Sequence, residues 1–218
     1  MCWSAKADLV AGAAVAAAGA ACLTRVRRRR DLPLATLPLL LGAHQIIEAA
    51  VWTSDGGTGP ATLAWAVLAL PLLAVWVPAG VLCAAPRHAR RRLIPLLAVG
   101  AATAAALGLA LAESPVTADV RGHTVGYVLD LHHPRLLVAG YLLATVGSLL
   151  LSGDRGLLVL GIVLGAGALL SWSLWRLEFV STWCAVAAVC SVALLGWVRR
   201  RAAEPGHAPV DGRPARPG

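Results

Sequence analysis

Charge is what this 218-residue chain has least of: Asp, Glu, Lys and Arg together make 14% of it, while hydrophobic residues make 58% and the mean hydropathy is +0.73. An ordinary soluble domain is nearer a quarter charged. The shortage excludes that class. The apolar residues come in long blocks rather than at amphipathic spacing, which is the pattern of an integral membrane protein in contact with a lipid bilayer. Lysine is almost missing as well: 18 of the 19 basic residues are arginine, and Lys6 is the exception. The arginines gather between apolar blocks, so the net charge of +8 describes membrane topology and not a nucleic-acid groove.

Several motifs are also missing. The five cysteines contain no C-x-x-C pair, which excludes a metal-finger framework. There is no H-E-x-x-H, no G-x-S-x-G and no phosphate-binding Walker loop, so the common catalytic templates fail. No internal repeat is present, and an inverted-repeat transporter is not supported.

What is there is a series of seven apolar blocks: 7–23, 32–52, 61–85, 93–111, 135–151, 157–175 and 179–198. Each is about long enough to cross ~30 Å of hydrocarbon at 1.5 Å per residue. The fold expected is all-α: a polytopic bundle of seven transmembrane helices in a plasma membrane. The first block starts with a single lysine, Lys6, balanced by Asp8, and has its arginines after it, the reverse of a cleaved signal peptide. Ser4 is placed to cap its helix, with Asp8 in the first turn. The first, third and fifth connections and the tail hold fifteen of the basic residues; the other side holds four, Lys6, Arg121, Arg135 and Arg176. The positive-inside rule then sets the N-terminus outside and the C-terminus in the cytoplasm. Residues 1–201 form the transmembrane domain, and 202–218, rich in Pro, Gly and Ala, form a disordered cytoplasmic tail.

One block breaks the apolar pattern. Residues 42–52, GAHQIIEAAVW, carry a histidine, a glutamine and a glutamate inside the second helix. His44 and Glu48 are four apart and share a helix face. An ionisable residue at that depth costs roughly 2.5–3.5 kcal/mol on insertion scales, so it must face the bundle and find partners. Other polar residues fall in the same outer half: Cys2, Cys184, His123, His132 and His133, with Arg176 and Glu178 at the mouth of the last helix. Cys22, Cys83 and Cys190 fit as small apolar packing residues. Cys2 and Cys184 fit a disulfide or, with His44 and Glu48, a soft transition-metal site. A second metal set, His44, Glu48, Asp130 and His132, is available for a metal-assisted hydrolase. Among the tryptophans, Trp65, Trp172 and Trp175 fit an interfacial belt, whereas Trp52 and Trp183 lie in polar segments and fit the wall of a pocket.

The connection 113–134, ESPVTADVRGHTVGYVLDLHHP, alternates apolar and polar residues on both sides of Arg121-Gly122, the signature of a short β-hairpin. At this length it is a candidate lid or a surface cap.

The opening MCWSAKADLVAGA, the helix-two HQIIEAAVW and the helix-seven FVSTWCAVAA, taken in order, resemble an uncharacterised family of bacterial seven-helix membrane proteins that begin Met-Cys-(Trp or Phe)-Ser-Ala. The resemblance covers most of residues 1–200. It implies that Cys2, Gln45, Glu48, Trp52, Trp183 and Cys184 belong to a shared pattern; Ala49 stands where the family usually has glycine. It implies no activity. The expected site is an outward-facing polar cluster of Cys2, His44, Gln45, Glu48, Trp52, Trp183 and Cys184, with Cys2, His44, Glu48 and Cys184 as the metal-capable subset. Three readings stay open: binding or sensing of a small molecule or metal ion, a metal-dependent intramembrane enzyme, and a structural or assembly protein.

Overall fold

The computed structural model describes residues 4–174 and 179–203. Its elements in chain order are α1 (Ala5–Leu23), α2 (Leu32–Ala35), α3 (Leu37–Thr53), α4 (Pro60–Val67), α5 (Leu73–Ala84), α6 (Arg87–Glu113), β1 (Thr117–Arg121), β2 (Thr124–Val128), α7 (Pro134–Leu150), α8 (Arg155–Leu174), α9 (Phe179–Ser191) and α10 (Ala193–Ala203). Among the described residues, six stretches are long and apolar enough to cross a membrane: Ala5–Leu23, Arg29–Thr53, Pro60–Ala84, Arg87–Glu113, Arg155–Ser173 and Thr182–Ala203. Pro134–Leu150 is apolar but shorter. All seven apolar blocks are therefore helical. The helices are apolar on their outward faces too: Leu136 and Leu169 are 71% and 75% exposed, a surface suited to lipid rather than to water. The tail expected from 202 onward lies outside the described residues from Glu204.

Prolines set the breaks in the helices. Pro33 and Pro38 flank the step at Thr36 between α2 and α3. The Trp76 indole N–H donates there to the Pro33 carbonyl (3.0 Å) and the Thr36 hydroxyl (3.1 Å). Between α4 and α5 the chain widens into a π-helical turn, Leu68–Leu72, around Pro71. The Tyr141 hydroxyl of α7 donates to the Ala69 carbonyl in that turn at 2.6 Å. Pro78 has no N–H for the Ala74 carbonyl one turn back, and α6 packs so closely there that a Cβ on Gly100 would overlap that oxygen.

Small residues set the closest crossing. α1 and α3 meet at Gly12 and Gly42: a Cβ on Gly42 would come within 2.5 Å of Ala16 N and 2.7 Å of Gly12 O. Gly19 touches the backbone of Leu39 in the same way. Such small-residue seams let membrane helices approach backbone to backbone. Packed also against α4 and α9, α3 becomes the most enclosed span: 61% of its apolar window is buried, against 28–44% in the other five. The one helix rich in polar side chains is thus the one surrounded by other helices.

The hairpin forms as its alternation predicts. β1 and β2 pair antiparallel from Thr117↔Val128 to Arg121↔Thr124, and Gly122 takes the positive φ of the turn (58°). Period two puts Val116, Ala118 and Val120 on one face with Val125, Tyr127 and Leu129. That face lies on the bundle; Val125 and Ala118 are buried. The opposite face carries an exposed Asp119–Arg121 pair at 2.7 Å. Gly57 in the α3–α4 turn extends the sheet by a two-bond bridge to Ala118 (2.8 and 3.1 Å). Asp55, Gly56 and Gly57 all have positive φ in that turn. Gly56 is required twice, because a Cβ there would also meet Ala118 O at 2.5 Å.

Candidate functional site

Four elements build the site. α3 supplies His44, Gln45 and Glu48, which are 0–2% exposed. α4 supplies Thr62 and Trp65, one turn apart and both 0% exposed. β2 supplies Tyr127, and α9 supplies Cys184. Helical spacing puts His44 and Glu48 on one face, and the enclosure of α3 turns that face inward as expected.

The contacts form a connected stack. The Gln45 amide meets His44 Nδ1 at 3.3 Å. With the amide NH₂ donating, Nδ1 accepts and the neutral imidazole carries its proton on Nε2. The His44 ring lies 5.0 Å from the Trp65 ring at 43°. Trp65 stacks on Tyr127 with centroids 3.4 Å apart and planes within 6°. The Tyr127 hydroxyl donates to Glu48 Oε1 at 3.4 Å, closing the circuit back to α3. Thr62 anchors the α4 side by donating to Gly57 O at 3.0 Å, the same glycine that bridges to the hairpin. Within this stack two buried ring nitrogens, His44 Nε2 and Trp65 Nε1, have no hydrogen-bond partner among the described residues.

The remaining expected residues separate. Trp52 does not wall the cluster; its indole donates to Asp8 Oδ2 at 2.8 Å, tying α3 to the first turn of α1. Ser4 caps α1 as expected, its hydroxyl accepting from Ala7 N at 3.2 Å. Cys184 is buried with Trp65 and Val116, and Tyr127 packs against the same cluster. Trp183 turns toward α7 and α8: it donates to Leu164 O at 3.2 Å and meets Tyr141 edge-on at 5.6 Å. With Tyr141 and Cys184 it lines two small apolar cavities of about 50 and 80 Å³. Cys2, Trp3, Trp175, Arg176 and Glu178 lie outside the described residues.

Two expectations change. Trp65 is not part of an interfacial belt, because the hairpin covers the end of α4 and makes its ring core; Trp172 is 43% exposed. Asp130 and His132 do not join His44 and Glu48. Both are exposed, and among the described residues no three His, Cys, Asp or Glu side chains gather as metal ligands. Sequence reasoning missed Trp65, Thr62 and Tyr127 as site residues. Tyr127 had a usable signal, since it shares a strand face with Val125 and Leu129.

Chemically, the arrangement offers a carboxylate, a thiol and unmet ring N–H donors in a water-poor interior roofed by an aromatic stack. Interhelical contacts of this kind fix helices in register. No curated protein and no solved structure matches the chain. Residues 1–208 match a family of unknown function (DUF6629), and the chain belongs to that family.

Proposed function

We propose that the protein crosses a plasma membrane seven times, with its N-terminus outside and its C-terminus in the cytoplasm, and that His44, Gln45 and Glu48 form an outward binding site for a small hydrogen-bonding ligand, closed by the 117–128 hairpin. The observation that carries the site is the buried His44 Nε2, which meets no acceptor among the described residues. An unmet buried donor costs about 1–3 kcal/mol, and an acceptor oxygen on a guest removes that cost. Trp65 Nε1 is a second such donor on the neighbouring ring. A metal ion is the variant occupant; it requires the Nε2 proton to move and Cys2 to join Glu48 and Cys184. Topology is supported by the fifteen-to-four split of basic residues. For the seventh span, the 17 residues of α7 rise about 26 Å at 1.5 Å each, close to the hydrocarbon thickness.

The test is native mass spectrometry and elemental analysis of the detergent-purified protein, comparing wild type with His44→Ala and with His88→Ala at the far, arginine-rich end. A small molecule or metal retained by wild type and His88→Ala and lost from His44→Ala supports the site. Identical spectra for all three reject it. Topology is tested separately with a C-terminal reporter: periplasmic activity there contradicts the orientation.

A structural clamp is the second reading, favoured by the close Trp65–Tyr127 stack that fills the space above His44. Glu48→Gln separates the two. It keeps the shape of the side chain and removes the charge. Loss of a bound species with unchanged folded yield favours binding; a lowered melting temperature with no bound species in wild type favours the clamp.

A further inference from the structure

Among the described residues, the arginine end of the bundle holds thirteen arginines, in 25–30, 87–92, 155 and 199–201, and two aspartates, Asp31 and Asp154. α10 presents three consecutive arginines there, and a helix sends neighbouring side chains about 100° apart. Arg201 turns inward. It pairs with Asp31 at 2.9 Å, donates to the Ala84 carbonyl at 3.0 Å and reaches Asp154 at 3.9 Å. Its guanidinium also lies 5.0 Å over the Trp197 ring. Arg201 thereby engages both aspartates. Arg199 turns elsewhere, into a pocket of about 360 Å³ shared with Thr24, Arg25, Val26 and Arg27 from the segment after α1. Arg25 donates to the Ala21 carbonyl at 3.2 Å. No carboxylate pairs with Arg25, Arg27 or Arg199 among the described residues.

We propose that this pocket binds the phosphate of an anionic phospholipid headgroup. Three arginines from two segments far apart in sequence line one space, and among the described residues the nearby Asp31 and Asp154 are engaged by Arg201. Guanidinium forks match the non-bridging oxygens of a phosphodiester. The pocket sits at the end of long apolar helices, the level of lipid headgroups, where basic pockets between helices select anionic lipids. A zwitterionic headgroup brings its own cation into the three arginines and is disfavoured. The inference rests on the membrane reading above, but not on its orientation or on the His44 site, which the reporter and the His44 variant test independently.

The test uses the full chain in mild detergent, titrated with phosphatidylglycerol, phosphatidylcholine or inorganic phosphate and followed by native mass spectrometry and thermal unfolding. Phosphatidylglycerol gives a one-to-one adduct and a raised melting temperature; phosphatidylcholine at the same ratio gives neither. Replacing Arg25, Arg27 and Arg199 together by glutamine weakens the phosphatidylglycerol adduct at least about tenfold. The same replacement at Arg87, Arg91 and Arg92 of α6 leaves it unchanged. Equal response to both lipids, an equal effect of inorganic phosphate alone, or equal weakening by the two triple variants overturns the proposal. If the pocket triple variant does not purify as folded protein, Arg199→Gln is compared with Arg91→Gln; equal adducts in those two overturn it as well.

Discussion

Tyr127 is the hairpin side chain that stacks on Trp65 and reaches Glu48, and its removal tests the site's architecture. In Tyr127→Ala the ring stacked on Trp65 at 3.4 Å is lost, together with the hydroxyl 3.4 Å from Glu48 Oε1. An aromatic pair contributes about 0.5–1.5 kcal/mol beyond area burial, and truncating a buried aromatic costs about 3–5 kcal/mol. Tyr127 is only half-buried, so the expected total is about 2–4 kcal/mol. The hydroxyl contact is long, and Tyr127→Phe, which keeps the stack, costs no more than about 1 kcal/mol. At roughly 2–4 °C per kcal/mol for a chain of this size, the alanine variant melts about 5–15 °C lower and the phenylalanine variant less than about 4 °C lower. Tryptophan fluorescence during thermal unfolding in detergent reads both. Peptide-resolved thiol labelling adds a local measure, because Cys184, 2% exposed and packed near Tyr127, becomes reactive only in Tyr127→Ala. Equal melting of Tyr127→Ala and wild type refutes the lid argument. A phenylalanine variant as damaged as the alanine variant shows instead that the hydroxyl, not the stack, holds the hairpin down.

Two further outcomes follow from packing and charge. Gly42→Ala forces a Cβ against the backbone of α1 at 2.5–2.8 Å and is expected to cost at least about 2 kcal/mol, whereas Gly108→Ala on α6, which meets nothing within 4 Å, leaves the melting temperature unchanged or slightly raised; similar effects at the two positions contradict the proposed α1–α3 seam. A double-mutant cycle of Asp31→Asn and Arg201→Met is expected to give a coupling of about 1–3 kcal/mol in unfolding free energy, because the pair is largely buried; additive effects show that the ion pair does not hold α10 to the start of α2.

The bundle was legible because hydrocarbon imposes its own length scale. Seven apolar blocks of this length read as helices once a membrane was inferred, since a helix pairs its own backbone groups and a barrel strand needs only about 9–11 residues. Their limits shifted where charge did not end the helix. α6 begins at Arg87, ahead of the apolar block, because arginines at a membrane surface continue a helix freely. The internal breaks at Thr36, at Pro71 and after Ser191 were not legible. A proline inside an apolar run marks a possible kink, but whether the chain steps, widens or continues depends on a donor from another helix, such as Trp76 for Pro33 or Tyr141 for Ala69.

The candidate site divides along the same line. His44 and Glu48 sharing a face follows from helical period alone, and the cost of a carboxylate in lipid turns that face inward. Tyr127 facing the bundle follows from strand period, but what lies beneath it does not. Trp65 shows why. It is the sixth residue of α4, a depth at which tryptophan ordinarily borders the headgroups, and composition cannot distinguish a belt residue from a core residue at that level. The belt argument assumes that protein ends where the helix ends. Here the Gly57–Ala118 bridge folds the hairpin back over the helix ends, so the interior continues past the point where helical segments alone would place the surface. A tryptophan that would be peripheral in a bare bundle then stacks on the half-buried Tyr127 and borders His44, and the polar residues of α3 acquire a roof.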